Sequence, residues 1–210
     1  MSARPAAGGG RWVDVAPERL ERWLHNFATR HGSYTTGGLT VTASDGAVAT
    51  FEAPPGAGDV PELADLLLTA AAPRTLGLLL ARKGAIAVGV ATGAELTVSK
   101  VDRHYVQGRT AAGGWSQQRF ARRRDNQAKA ATADGAGIAE RVLLPHVRDL
   151  AALITGGDRS AVDAVLAGRD LAPLAAVRAD RFLDVPEPRH AVLVDAIAAA
   201  RAVRVLVKDP

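Results

Sequence analysis

In the middle of the 210-residue chain, the run Gly113-Gly114-Trp115-Ser116-Gln117-Gln118-Arg119-Phe120-Ala121-Arg122-Arg123-Arg124 joins two glycines and two glutamines directly to an arginine-rich stretch. Gly113 and Gly114 admit backbone angles closed to other residues, which leaves the peptide N–H groups that follow free to point outward. Such donors can hold a reacting water or a developing oxyanion. A glutamine amide adds a group that both donates and accepts at neutral pH. Together these suit the hydrolysis of an ester that is already activated, where the task is to place water and stabilise charge and no side-chain nucleophile is required. Upstream, Gln107-Gly108-Arg109-Thr110-Ala111-Ala112 offers only small and polar residues, with nothing to pack into a core. About ten residues paired back on themselves reach roughly 16 Å, so the segment is expected to project as a tip carrying Gly114, Trp115, Ser116 and Gln117. Gln117 and Gln118 are rival candidates for the working residue. A glycine pair followed by glutamines also fits a plain hairpin connection; the adjoining arginines favour the reactive tip.

The elements that must position this tip are those of one good core, or of one core plus a small second module, which is as much as 210 residues can bury. Hydrophobic residues make up 48% and charged residues 23%, values of a folded chain and not of a disordered one. There is no cysteine, which removes disulfides, thiolate catalysis and cysteine-ligated zinc from consideration. No apolar run approaches the roughly 18 to 20 residues of a membrane span, and the first ten residues lack the apolar core of a secretory signal. A cytoplasmic protein with no membrane association is expected. The net charge is +4, and with lysine only at 83, 100, 129 and 208, arginine supplies nearly all of the positive charge. The planar guanidinium suits phosphates and stacked bases. GC-rich codon usage explains the overall bias equally well; the local cluster of Arg119, Arg122, Arg123 and Arg124, with Arg109 before the loop, is the more informative part.

Along the chain, residues 1–10 read as a disordered tail, 11–73 as a small α+β module and 74–210 as the main domain. Pro17 opens a helix whose Leu20, Trp23, Leu24 and Phe27 recur at i, i+3, i+4 and i+7, with Gly32 beyond its end. Residues 39–42 and 47–51 flank Ser44-Asp45-Gly46 as a β-hairpin. Pro61 starts a second helix through Leu63, Leu66, Leu67 and Leu68. From residue 75 the pattern changes to an antiparallel meander of three strands, 75–81, 85–91 and 95–100, the last with a pattern that can extend through Tyr105 and Val106 into the loop. Helices are expected at 117–131 and 138–153, broken by Gly135 and Gly137, with Pro145 interrupting the second. A strand or loop at 161–166, an irregular stretch with Pro173, Pro186 and Pro188, a helix at 190–202 and a strand at 203–207 complete a mixed α+β (α/β) class.

Other chemistries find little support. There is no phosphate-cradling glycine motif with its lysine, no G-x-S-x-G elbow and no H-E-x-x-H pair. His25, His31, His104, His146 and His190 are scattered and read as surface or helix-face residues. Asp125, Asp134 and Glu140 are spaced as helix pairs and caps, not as a metal cluster. No cofactor or metal is expected.

Residues 113–124 resemble the Gly-Gly-Gln loop and the following Arg-Phe-Ala-Arg helix in the central domain of eukaryotic and archaeal class I peptide-chain release factors. His104-Tyr105-Val106-Gln107-Gly108-Arg109 and the spacing Gly114-x-x-Gln117 are more similar still to the Vms/ANKZF-type release factors, in which Gly-x-x-Gln replaces Gly-Gly-Gln. The likeness spans residues 74 to 200, includes Arg181-Phe182-Leu183-Asp184-Val185-Pro186, and is specific near the loop. Trp115 stands where the termination factors have their glutamine, and a protein without the zinc finger, ankyrin repeats and codon-reading domain of these relatives is expected.

The resemblance implies a central-domain-like sheet flanked by helices and a codon-independent peptidyl-tRNA hydrolase that acts on stalled large ribosomal subunits. Water would attack the ester of P-site peptidyl-tRNA, with the N–H at or beside Gln117 stabilising the transition state and its side chain screening the nucleophile. Gly113 and Gly114 would supply the turn, Trp115 would stack or fill the loop, and Arg119, Arg122, Arg123 and Arg124 would meet rRNA phosphates. Off the ribosome a monomer is expected. A non-catalytic ribosome- or RNA-binding factor is the alternative, favoured by the missing Gly-Gly-Gln. A nuclease would need clustered carboxylates that the sequence does not offer.

Overall fold

A computed structural model describes the backbone of residues 3–82, 84–103 and 116–210, and the side chains of all of these except residues 3, 116–126 and 128. The chain divides into two compact units, residues 1–74 with 198–210 and residues 75–197. Each has its own sheet and core, in a mixed α+β arrangement.

The first unit is built on a six-stranded antiparallel sheet. Its strands are β1 (Ala3–Pro5), β2 (Arg11–Val15), β3 (Tyr34–Gly37), β4 (Thr40–Ala43), β5 (Val48–Glu52) and β11 (Val203–Lys208), in the order β1-β2-β11-β5-β4-β3. Helix α1 (Leu20–His31) follows a turn of 3-10 helix at Pro17–Arg19, where proline's missing N–H costs nothing. The i, i+3, i+4, i+7 stripe is realised: Leu20, Leu24 and Phe27 are buried with Val13, Val41, Phe51 and Val205, and Trp23 packs against them. The expected hairpin is present between β4 and β5; Gly46 sits at φ 96°, and Asp45 Oδ1 accepts from the Ala47 N–H at 2.9 Å. Helix α2 (Leu63–Thr69) buries Leu63 and Leu66.

Two features of this unit differ from the expectations set by the sequence. Residues 3–5 pair with β2 as a strand, in place of a disordered tail. The closing strand β11 returns to this unit, between β2 and β5, although its residues read as part of the domain from 74 to 210. Its register explains the fit, since Arg204 stands directly opposite Asp14 on one side and Glu52 on the other, with Arg204 Nη1 3.3 Å from Glu52 Oε2. Gly10 admits the same strand, because a Cβ there would stand 2.4 Å from the Val207 carbonyl oxygen.

The second unit holds a five-stranded mixed sheet, β10-β9-β6-β7-β8, formed by β6 (Thr75–Arg82), β7 (Ala85–Thr92), β8 (Glu95–Arg103), β9 (Ala152–Gly157) and β10 (Arg178–Leu183). The meander β6-β7-β8 is antiparallel as expected, while β9 lies parallel to both β6 and β10. Six consecutive residues of β6 and seven of β7 are buried, as continuous apolar strands covered on both faces must be. One face packs Leu79, Ile86, Val88 and Leu153 against α3 (Ser116–Leu143) and α4 (Arg159–Leu166). On the other, Leu193 of α6 (His190–Arg201) comes so close to β7 that a Cβ at Gly89 would lie 3.0 Å from it. Each such fully buried leucine contributes about 1.5–3 kcal/mol. A short helix, α5 (Ala172–Ala176), precedes β10.

Three expectations are corrected in this unit. Gly135 and Gly137 do not break α3, which runs unbroken for 28 residues; Gly135 is held at a close approach, its Cβ position only 3.2 Å from Ile86 Cδ1 and Val165 Cγ2. The helix expected at 138–153 ends at Leu143, passes through a 3-10 turn at Leu144–His146 containing Pro145, and gives way to β9. Residues 161–166 form α4 and not a strand or loop, because Asp158 caps it, its Oδ1 accepting from Ser160 N–H at 3.1 Å and Ser160 Oγ at 2.8 Å.

Candidate functional site

Strand β8 and helix α3 frame the candidate loop. β8 pairs with β7 from Glu95 to Arg103, and α3 begins at Ser116. The positions 104–115, with Arg109, Gly113, Gly114 and Trp115, lie outside the described residues, as does the expected continuation of β8 through Tyr105 and Val106. Ser116, Gln117 and Gln118 fall in the first turn of α3. This matters chemically, because the first N–H groups of a helix have no intrahelical acceptor. The peptide N–H groups of Gln117 and of Gln118 therefore have no acceptor within the helix, at the end where the macrodipole favours negative charge. Both candidate glutamines share this position.

The arginines follow within the next two turns. Positions 119, 122 and 123 recur at i, i+3 and i+4 and so share one helical face, while 124 is turned about 100° from 123. The anchor lies farther along. Gln127 to Asp134 are exposed or half-buried where their side chains are described, and Gly135, Ile138, Ala139 and Leu143 are buried against the sheet and α4. Eighteen residues of helix separate Gln117 from Gly135, about 27 Å along the axis. The first turn is thus joined to the core along the length of α3.

The strand side of the frame carries both signs of charge, with Glu95, Lys100, Asp102 and Arg103 on β8. Lys100 and Arg103 are exposed on β8, and Arg103 Nε lies 3.8 Å from Glu187 Oε1, with Arg189 Nη2 3.0 Å from Glu187 Oε2. The hydrogen bond from Arg189 and the charge of Arg103 hold the Glu187 carboxyl below its usual range. On the far edge of the sheet the Arg159 guanidinium sits 4.2 Å over the Phe182 ring, inside the Arg181-to-Pro186 segment. That segment, read as part of an irregular stretch, begins on β10; its apolar residues are too few to signal a strand locally.

Among the described residues no group of three histidines or acids is close enough to hold a metal ion. No helix among them is long and apolar enough to cross a membrane. His31 is the histidine whose place the sequence did not reveal. It is buried at the end of α1, and its Nδ1 is 2.8 Å from Asp45 Oδ2. The one available signal was the acid in the hairpin turn fourteen residues on.

Comparison with known proteins bears on residues 74–206, which match the family described as the Actinobacteria/chloroflexi VLRF1 release factor. Among solved structures, a chain described as an archaeal protein has 17% identity and a TM-score of 0.41, covering 76% of this chain and 51% of its own. The crystal structure of the archaeal translation termination factor aRF1 has 15% identity and a TM-score of 0.41, covering 89% of this chain and 56% of its own. This chain thus spans about half the length of those proteins, and likeness at that level carries no weight for its fold or activity. No curated protein matches. The family match covers well over half of the sequence, including β8, α3 and the loop between them, and on it the chain belongs to the Actinobacteria/chloroflexi VLRF1 release factor family.

Proposed function

We propose that this release factor hydrolyses peptidyl-tRNA on stalled large ribosomal subunits without reading a codon, in ribosome rescue and quality control in the cytoplasm. The observation that carries the proposal is the sequence spacing Gly114-x-x-Gln117, whose glutamine falls in the first turn of α3, within the stretch matched by the family. In this mechanism the loop enters the peptidyl transferase centre as a monomeric, cofactor-free tip. Water attacks the ester carbonyl of P-site peptidyl-tRNA, and the C–O bond to the terminal ribose breaks. The Gln117 N–H, unpaired within its helix, donates to the oxyanion as charge develops, with Gln118 its neighbouring rival. The Gln117 side chain orients the water and excludes other nucleophiles. Gly113 and Gly114 give the turn, with Trp115 and Ser116 completing it. Arg109, Arg119, Arg122, Arg123 and Arg124 neutralise rRNA phosphates and fix the register of the tip.

The test is direct. Purified protein is mixed with large subunits carrying labelled peptidyl-tRNA, and release of the peptide is followed. Release supports the proposal. Binding of the subunits without release returns the non-catalytic reading, which Trp115, standing in the place of a glutamine, would then explain.

A further inference from the structure

In the first unit, α1, β2 and β11 line a half-open pocket of about 250 Å³ that has no part in the loop chemistry. Its lining includes Arg11, Trp23, Asn26, Phe27, Arg30 and His31. Three of these form a ladder one turn apart on α1: the Trp23 and Phe27 rings stack at 5.6 Å and 17°, and Phe27 and His31 lie 4.8 Å apart. His31 is fixed by Asp45, whose other oxygen is engaged by Ala47, so the imidazole Nε2 has no partner among the described residues. Arg30 is exposed at the helix end and has no ion pair among the described residues. Arg11 is paired with Asp209, whose carboxyl is held below its usual range by that hydrogen bond and, more weakly, by the charges of His31 and Arg30. The cations at this cavity therefore already gather one acidic group, which is half exposed.

We infer that the cavity is a nucleotide pocket, taking one unpaired base beside Trp23 with its phosphate at Arg30 and Arg11, where it displaces Asp209. The volume falls just below the roughly 300–1,000 Å³ of small-molecule pockets, room for a single planar ring system. Phe27 is buried between Trp23 and His31, so the face open to a base is that of Trp23; an aromatic face with adjacent arginines is the combination that holds single-stranded nucleic acid, and Asn26 can donate and accept at a base edge. A peptide is disfavoured by the sheet: β2 and β11 are interior strands with both edges already paired, so no strand edge is offered to an extended chain.

The experiment is titration calorimetry on the full chain with AMP, UMP, a single-stranded RNA trinucleotide, inorganic phosphate and a capped acidic peptide. Nucleotides are expected to bind, phosphate and peptide at least tenfold more weakly. Equal affinity for mononucleotide and trinucleotide identifies a free nucleotide as the ligand, and tighter trinucleotide binding identifies RNA. Arg30→Glu should weaken binding roughly tenfold or more, Trp23→Ala by a similar factor, and Asp209→Asn should tighten it several-fold by removing the competing carboxylate. A variant with Arg169→Ala, an exposed arginine of the second unit, should bind as wild type does, which separates this pocket from a general loss of positive charge. Arg30→Glu with unchanged circular dichroism and unchanged nucleotide affinity would overturn the inference, as would peptide binding in place of nucleotide or phosphate binding as tight as AMP. Its failure leaves the release assay untouched.

Discussion

Gly135 of α3 and Ile86 of β7 approach so closely that a Cβ on the glycine would stand 3.2 Å from Ile86 Cδ1. That contact seats the helix whose first turn carries Gln117 and Gln118. Glycine inside a helix costs about 0.5–1 kcal/mol relative to alanine; here the cost is offset by the approach it permits.

Gly135→Leu is expected to overpack this contact and to lower stability by about 1–3 kcal/mol. Gly137 is the control. Its Cβ position meets only the far end of the Arg141 side chain, so Gly137→Ala should stabilise by about 0.5–1 kcal/mol. Urea midpoints of the two variants, moving in opposite directions, check both.

Asp158→Ala should cost about 1 kcal/mol through loss of the α4 cap. The hydrogen bonds from Ser160, the hydroxyl first, hold the Asp158 carboxyl below its ordinary value of 3.8. A carboxyl lowered in the folded state contributes stability above its unfolded value, and that contribution fades as pH falls through the folded one. The gap between wild type and Asp158→Ala, read by thermal melts, should therefore be constant near neutrality and shrink below about pH 4.

These residues also show what the sequence made legible. The α1 stripe, the β4-β5 hairpin and the β6-β7-β8 meander were all readable, because local period and turn residues agree with the fold in each. Gly135 misled because its reason is tertiary: nothing near it in sequence announces Ile86 and Val165. Val147, Leu150 and Leu153 fall at helical spacing and hid the start of β9, although Pro145 marked the break. The return of β11 to pair with β2, about 190 residues earlier in the chain, has no local signature at all. For the candidate site, Gln117, Gln118 and the arginines were singled out as candidates by type and order, and the helix expected from 117 put them at its start; the continuation of that helix to Leu143 came only from the structure.

Replacing Arg122 and Arg123 together by alanine should weaken binding to large subunits and flatten its dependence on salt. Each phosphate that is no longer neutralised lowers the slope of log K against log salt by roughly 0.7–0.9. Filter binding across a several-fold range of salt concentration is the measurement, and peptide release at saturating protein should change less than affinity does.

The central claim is that a backbone donor at the start of α3 assists water in cleaving the peptidyl-tRNA ester. Gln117→Pro removes that N–H where no intrahelical bond depends on it, and Gln117→Ala keeps it. Measured as the rate of peptide release from stalled large subunits, Gln117→Pro should abolish release and Gln117→Ala should slow it by about 10²-fold or more, with Gln118→Ala run in parallel to decide between the neighbours. Undiminished release by both Gln117 variants would contradict the account.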